Sequence, residues 1–206
     1  MDIGILALGS HHERHGPALP RDTDAKIAEY IAKKVSDRTE ATYLGLLRSS
    51  YELPEINTGD HDELDELIEE LKSKIKKVKD KGFEKILILN AHGGNQELEK
   101  HISEIEDELN VQLNMDSTVC NIEGPHAGTG EISIGAIIGI TDKKKLEEQN
   151  KLEKYPEIGF SGLEEVREKY SWAEKHAQKV EKEGIKVDEN LRSEEHTSEL
   201  QSPLCI

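Results

Sequence analysis

The run Lys85–Asn90, KILILN, is short and almost entirely apolar. Such a run is typical of a central strand in a parallel sheet, because helices cover both faces of that sheet. A similar run, Ile3–Leu8, precedes an amphipathic helix over residues 24–36, and Thr42–Leu47 follows as a further strand. Strands that alternate with helices in this way predict an α/β fold, with a mostly parallel sheet and helices on both faces.

The alternation of strands and helices continues along the chain. A long amphipathic helix is predicted over residues 60–81, where apolar residues recur at helical spacing. A helix after residue 95 and a strand over residues 111–119 come next. Residues 132–140 are apolar and small, which favours a buried helix, and three short amphipathic helices follow between residues 143 and 183. In such a fold the site is expected at the carboxyl ends of the strands.

The composition excludes several classes of protein. A length of 206 residues suits one domain, and a net charge of −16 argues against nucleic acid as a partner. No apolar run reaches the roughly 18 residues of a membrane span, and no signal-peptide pattern precedes the first strand. We therefore expect a cytoplasmic protein with no membrane partner. Cys120 and Cys205 provide neither a disulfide framework nor a paired zinc motif.

The loop after the first strand carries two carboxylates and an imidazole, those of Glu13, Asp24 and His15. Donors of this kind suit Zn²⁺, Fe²⁺ or Mn²⁺. Glu13 and His15 are two residues apart, so their side chains can converge on one side of an extended segment. The two oxygens of Asp24 allow it to bridge two ions. The alternative is a solvated loop in which Asp24, with Thr23, caps the next helix.

His92 follows a central strand directly and precedes Gly93 and Gly94. The two glycines let the backbone turn tightly and let another group approach closely. A histidine at this place is expected to point into the cleft at the sheet edge, although it can also simply begin a helix. Asn95 can cap the following helix, and the free N–H groups of that helix suit a developing oxyanion.

A third loop contributes His126 and Glu131. Glu131 can orient His126 by accepting a hydrogen bond from one ring nitrogen, which leaves the other nitrogen for proton transfer. We predict these two residues as the catalytic pair, and the alternative is that Glu131 only begins a helix. The histidines with no assigned role are expected at the surface: His11, His12, His61, His101 and His176.

Three blocks of sequence together resemble the creatininase family of metal-dependent amidohydrolases. The blocks are residues 13–20 with Asp24, residues 90–95, and residues 126–133. The resemblance implies a three-layer α/β fold and a single domain over residues 1–191. Residues 192–206 match nothing in the family and resemble translated sequencing adaptor, so we expect a non-native, disordered tail there.

The resemblance also implies four metal ligands, of which Asp24 bridges two ions: Glu13, His15, Asp24 and His92. It implies Fe²⁺, with up to two ions per chain, whereas ligand chemistry alone allows Zn²⁺ or Mn²⁺. Creatininase itself has a glutamate at the position of Gly94. One ion is therefore a ligand short here unless water or another residue fills the place. The family further implies a homo-oligomer.

Arg14, Ala18 and residues 23–28 and 155–159 are similar to one branch of the family. That branch removes formate from a phosphorylated formylaminopyrimidine nucleotide in riboflavin and deazaflavin biosynthesis. The resemblance thus implies hydrolysis of a formamide. Two alternatives stay open: a creatininase-type enzyme that acts on a creatinine-like lactam or a peptide amide, and a metal-binding protein without turnover.

The implied substrate carries a phosphate, which needs cationic side chains. No phosphate-cradling loop is present in the sequence. Arg14, Arg21 and Arg48 are the candidates by position, because arginine binds phosphate through paired N–H groups. Asn95 is predicted as a further substrate contact.

Overall fold

The computed structural model describes residues 2–188 of the chain. The chain divides into two compact units. Among the described residues, the first unit contains residues 2–14 and 21–122, and the second contains His15–Pro20 and residues 123–188. The domain boundary predicted at residue 191 and the tail predicted over residues 192–206 lie outside the described residues.

The first unit is built on a four-stranded sheet. Its strands are β1 Ile3–Leu8, β2 Thr42–Leu47, β3 Lys85–Asn90 and β4 Gln112–Asp116. Neighbouring strands all pair in parallel, in the order β2-β1-β3-β4. The pairing of β1 with β3 runs from Ile3 opposite Lys85 to Leu8 opposite Asn90. The predicted α/β fold is confirmed, and the carboxyl ends of its two central strands lie side by side.

Helices connect these strands. The helices are α1 Thr23–Arg38, α2 Leu64–Lys79, α3 Ile102–Leu109 and α4 Thr118–Glu123, with a 3₁₀ helix over Gly94–Lys100. The helix predicted over residues 60–81 is shorter, because Glu63 and Glu66 form a capping box at its start. The strand predicted to reach residue 119 ends at Asp116, whose side chain accepts a hydrogen bond from the Thr118 N–H at the start of α4.

Both faces of the sheet are covered. Leu6 and Leu8 pack with the apolar stripe of α2. Ile5 and Ala7 point to the opposite face, since neighbouring strand residues alternate, and they are also fully buried. The connection from β1 to β2 and the connection from β2 to β3 move in opposite directions across the sheet. Because connections between parallel strands are right-handed, the helices α1 and α2 in these two connections lie on opposite faces. The predicted helices on both faces therefore follow from the observed strand order.

The second unit is helical. Its helices are α5 Thr129–Ile138, α6 Leu146–Gln149, α7 Glu164–Lys169 and α8 Ser171–Glu183, with 3₁₀ turns at Lys143–Lys145 and Ile158–Phe160. Buried Gln149 anchors the segment His15–Pro20. Its amide donates to the carbonyls of His15 and Ala127 and accepts from the Ala18 N–H, each at 3.0 Å. Within residues 2–188, no helix is both long and apolar enough to span a membrane.

We expect Leu71→Ala to lower the free energy of unfolding by about 2–5 kcal/mol, because it removes a fully buried side chain of α2 and leaves a cavity. Lys77 lies exposed on the same helix, so Lys77→Ala is the matched control and should change stability by less than about 0.5 kcal/mol. Urea unfolding measures both. Equal effects of the two changes would mean that α2 does not pack on the sheet as described.

Candidate metal centre

The first site residues stand on the loop that leaves β1. An isolated antiparallel bridge joins Glu13 to Gly59. The Arg14 N–H donates to the Thr58 carbonyl at 2.7 Å, and the Asp60 N–H donates to the His12 carbonyl at 3.1 Å. The loop of residues 48–63 after β2 therefore holds the Glu13 backbone in place. Asp24 is positioned separately, in the first turn of α1.

Glu13, Asp24 and His92 come together at the carboxyl edge of β1 and β3. The His92 Nδ1 atom lies 2.9 Å from Asp24 Oδ2 and 3.0 Å from Glu13 Oε2. All three residues are at most 4% exposed. Three of the four predicted metal ligands thus form one buried cluster in the first unit.

The backbone around His92 is held by Asn90, the last residue of β3. The Asn90 Oδ1 atom accepts from the His92 N–H at 3.1 Å, and Nδ2 donates to the His92 carbonyl at 2.8 Å. Nδ2 also donates to Ser117 Oγ at 3.2 Å, just beyond β4. One buried amide therefore ties the His92 turn to the neighbouring strand end and limits the orientation of the ring.

The other edge of the His92 ring faces the loop after β2. The His92 Nε2 atom lies 3.0 Å from the Tyr51 carbonyl oxygen and 3.6 Å from Glu52 Oε2. Burial by itself lowers the pKa of His92. The carboxylates of Glu13, Asp24 and Glu52 outweigh it, and the pKa of His92 stands well above its usual value. The acidic neighbours therefore favour the protonated form of the ring.

Glu52, Thr58 and His61 also belong to this cluster, and they were not predicted from the sequence. The Thr58 hydroxyl donates to Glu13 Oε1 at 2.8 Å, and its oxygen lies 3.3 Å from His61 Nε2. His61 was expected at the surface but is half-buried, with its ring stacked 5.3 Å from that of His92. The sequence contained a signal for this loop. Because β2 ends at the same edge of the sheet as β1 and β3, the polar loop after β2 had to lie close to Glu13 and His92.

The second unit brings His15, His126 and Glu131 together. Glu131 Oε2 lies 3.4 Å from His15 Nε2, and Glu131 Oε1 lies 3.9 Å from His126 Nδ1. The two imidazole rings are 4.6 Å apart between centroids. Glu131 Oε1 also accepts from the Ala127 N–H at 3.1 Å, which fixes the carboxylate. Glu131 is therefore closer to His15 than to the His126 ring that it was predicted to orient.

The residues predicted to contact the substrate are not part of the cluster of Glu13, Asp24 and His92. Arg14 is half-buried and donates from its guanidinium to the Asn57 carbonyl, while Arg21 and Arg48 are exposed. Asn95 is fully buried. Its Oδ1 atom accepts from the Tyr51 N–H at 2.9 Å, and Nδ2 donates to the Ser49 carbonyl at 3.4 Å. Asn95 therefore holds the loop after β2.

The residues of the first unit fit a divalent metal. Two ligands that each lie about 2.1 Å from one ion are about 3 Å apart at right angles, as His92 Nδ1 is from its two carboxylate neighbours. Carboxylate oxygens with one imidazole suit Fe²⁺, Mn²⁺ or Zn²⁺.

A family model described as creatinine amidohydrolase matches residues 1–201. The chain belongs to the creatininase family. A relative from Methanothermobacter marburgensis is 47% identical over 188 residues, which cover 90% of this chain and 80% of the relative. A relative from Methanothermus fervidus is 44% identical over 191 residues, which cover 92% and 76%. Both are named 2-amino-5-formylamino-6-ribosylaminopyrimidin-4(3H)-one 5′-monophosphate deformylase.

Solved creatininase structures share the fold of this chain. A creatinine amidohydrolase structure aligns with a TM-score of 0.59 at 16% identity and covers 71% of this chain and 68% of its own. A manganese form of creatininase aligns with a TM-score of 0.57 at 15% identity over 71% and 68%. Similarity at this level of identity establishes the fold alone. With the family and its named relatives, the prediction of an amide-hydrolysing enzyme of the creatininase family is confirmed.

The two glycines after His92 make a matched pair for mutation. A Cβ at Gly94 would lie 2.1 Å from the Tyr51 carbonyl oxygen, whereas nothing lies within 4 Å of a Cβ at Gly93. Gly94→Ala must displace the loop after β2, so we expect it to lower the free energy of unfolding by about 1–3 kcal/mol. Gly93→Ala should be neutral or stabilising by up to about 1 kcal/mol. Urea unfolding compares them, and equal stability of the two variants would contradict the packing at Gly94.

Proposed function

We propose that this chain hydrolyses the formamide of 2-amino-5-formylamino-6-ribosylaminopyrimidin-4(3H)-one 5′-monophosphate and releases formate. The buried cluster of Glu13, Asp24 and His92, with Nδ1 at 2.9 and 3.0 Å from the two carboxylates, carries the proposal. Relatives named for this deformylation are 47% and 44% identical over at least 90% of the chain, and they supply the choice of substrate.

Glu13, Asp24 and His92 are the residues that would hold the metal, with Fe²⁺ as the proposed ion and Zn²⁺ or Mn²⁺ as the alternatives. His15 is proposed as a fourth ligand because it follows Glu13 by two residues in the chain. When bound, a divalent ion supplies Lewis acidity that activates water and polarises the formyl oxygen. We propose that Asp24 would also help to hold a second ion.

Hydrolysis adds water across the formamide: oxygen joins the formyl carbon, the C–N bond breaks, and the amine nitrogen takes up a proton. We propose that His126 delivers this proton from Nε2, since its Nδ1 atom faces Glu131 at 3.9 Å. The 5% exposure of Glu131 supports a role in holding nearby imidazoles rather than a solvated helix start. Arg14, Arg21 and Arg48 are the proposed phosphate contacts.

The direct test measures formate release from the formylaminopyrimidine nucleotide. Each of Fe²⁺, Mn²⁺ and Zn²⁺ is added to the metal-free protein under anaerobic conditions, with creatinine as the comparison substrate. We expect metal-dependent formate release from the nucleotide and no opening of creatinine. Turnover of creatinine alone would replace the proposed substrate, and turnover of neither compound with any metal would contradict the proposed function.

Asp24→Asn and His126→Asn should damage the enzyme in different ways. In Asp24→Asn, the amide that replaces the carboxylate lacks the charge and the second strong donor oxygen, so metal content and activity should fall together. His126→Asn should keep its metal and lose roughly 10²–10⁴-fold in kcat, the usual contribution of general acid catalysis. Metal analysis and steady-state kinetics measure both. A folded His126→Asn protein without metal would mean that His126 is a ligand and not an acid.

A further inference from the structure

The loop after β2 takes the space beside His92 that a side chain at position 94 would need. The Tyr51 carbonyl oxygen lies 2.1 Å and Glu52 Oε1 lies 2.8 Å from the place of a Cβ on Gly94. The Asn95 amide binds the Tyr51 N–H at 2.9 Å and so holds the loop there. A side chain at position 94 would clash with this loop. Glycine at that position therefore allows the loop, which carries Glu52, to lie beside His92.

Glu52 is placed as a buried acid rather than a solvated one. Its side chain is 9% exposed, and Oε2 lies 3.6 Å from His92 Nε2. Its other oxygen, Oε1, accepts from the Leu53 N–H at 2.8 Å, which limits rotation of the carboxylate. One of its oxygens also lies within 4.8 Å of one donor atom each of Glu13 and His92. The negative charge is therefore held next to the proposed metal centre.

The two nitrogens of His92 have different partners. Nδ1 faces Glu13 and Asp24, on the side where the proposed metal binds. Nε2 lies 3.0 Å from the Tyr51 carbonyl oxygen, which can accept a hydrogen bond but cannot donate one. This contact assigns the proton of the neutral ring to Nε2 and leaves the Nδ1 lone pair for a metal. Glu52 stands on the Nε2 side, where its Oε2 atom lies 3.6 Å from that nitrogen.

We propose that Glu52 is a positioning residue of the metal centre, which acts through His92 and not as a direct ligand. Its carboxylate stabilises the Nε2–H group of the ring next to the Tyr51 carbonyl. This makes Nδ1 a stronger metal ligand. Carboxylates behind metal-binding histidines have this effect, and their loss typically reduces metal affinity about 10–100-fold. The inference rests on the proposed function only in requiring a metal at Glu13, Asp24 and His92.

The test measures metal binding and not turnover. Metal-free protein is titrated with Zn²⁺ in competition with a chromogenic chelator, and the Co²⁺ form is followed by its visible absorption. Glu52→Gln removes the charge but keeps an oxygen that can accept from Leu53. Glu55→Gln is the control, because it removes the same charge from an exposed position on the same loop. Urea unfolding of the metal-free variants checks that both are folded.

We expect Glu52→Gln to bind Zn²⁺ about 10–100-fold more weakly than the wild type, with an unchanged Co²⁺ spectrum. Glu55→Gln should match the wild type in both measurements. Unchanged Zn²⁺ affinity in folded Glu52→Gln would overturn the proposal. A Co²⁺ spectrum showing a lost ligand would also overturn it, because Glu52 would then bind the metal directly. Both results can be read in a protein that releases no formate, so failure of this inference is distinguishable from failure of the proposed function.

Discussion

The arrangement at the sheet edge depends on one buried group of opposite charges. Glu13 and Asp24 lie in the interior, where an isolated carboxylate is strongly destabilised. The His92 ring lies 2.9–3.0 Å from both and offsets part of their negative charge. Removing one of these side chains leaves more buried charge uncompensated. The residue type that each of the three positions can accept therefore depends on the other two. A divalent ion bound at the proposed site would supply the positive charge that this group still lacks.

The fold brings these residues together through the pairing of β1 with β3. Because Leu8 stands opposite Asn90, the loops that carry Glu13 and His92 leave the sheet at the same level. Asp24 arrives from the first turn of α1, and the loop after β2 completes the surroundings. The site is therefore assembled from three strand ends, at the carboxyl edge where open α/β sheets bind their ligands.

Elements with strong periodicity were predictable from the sequence. β1, β2 and β3 occur at the predicted bounds, because short apolar runs between polar segments leave few alternatives. The starts and ends of helices were less predictable. The capping box at Glu63 and the hydrogen bond from Thr118 to Asp116 shorten their elements by local contacts that periodicity does not contain.

The sequence by itself determined the fold class and the donors that follow β1 and β3, because residue type and position after a strand are properties of the chain alone. Only the tertiary structure decided that Glu52, Thr58 and His61 join them. The loop of residues 48–63 has no regular period, and its path depends on contacts such as that of His92 with the Tyr51 carbonyl, 41 residues away in the chain. Contacts over such separations come from packing and not from any local pattern.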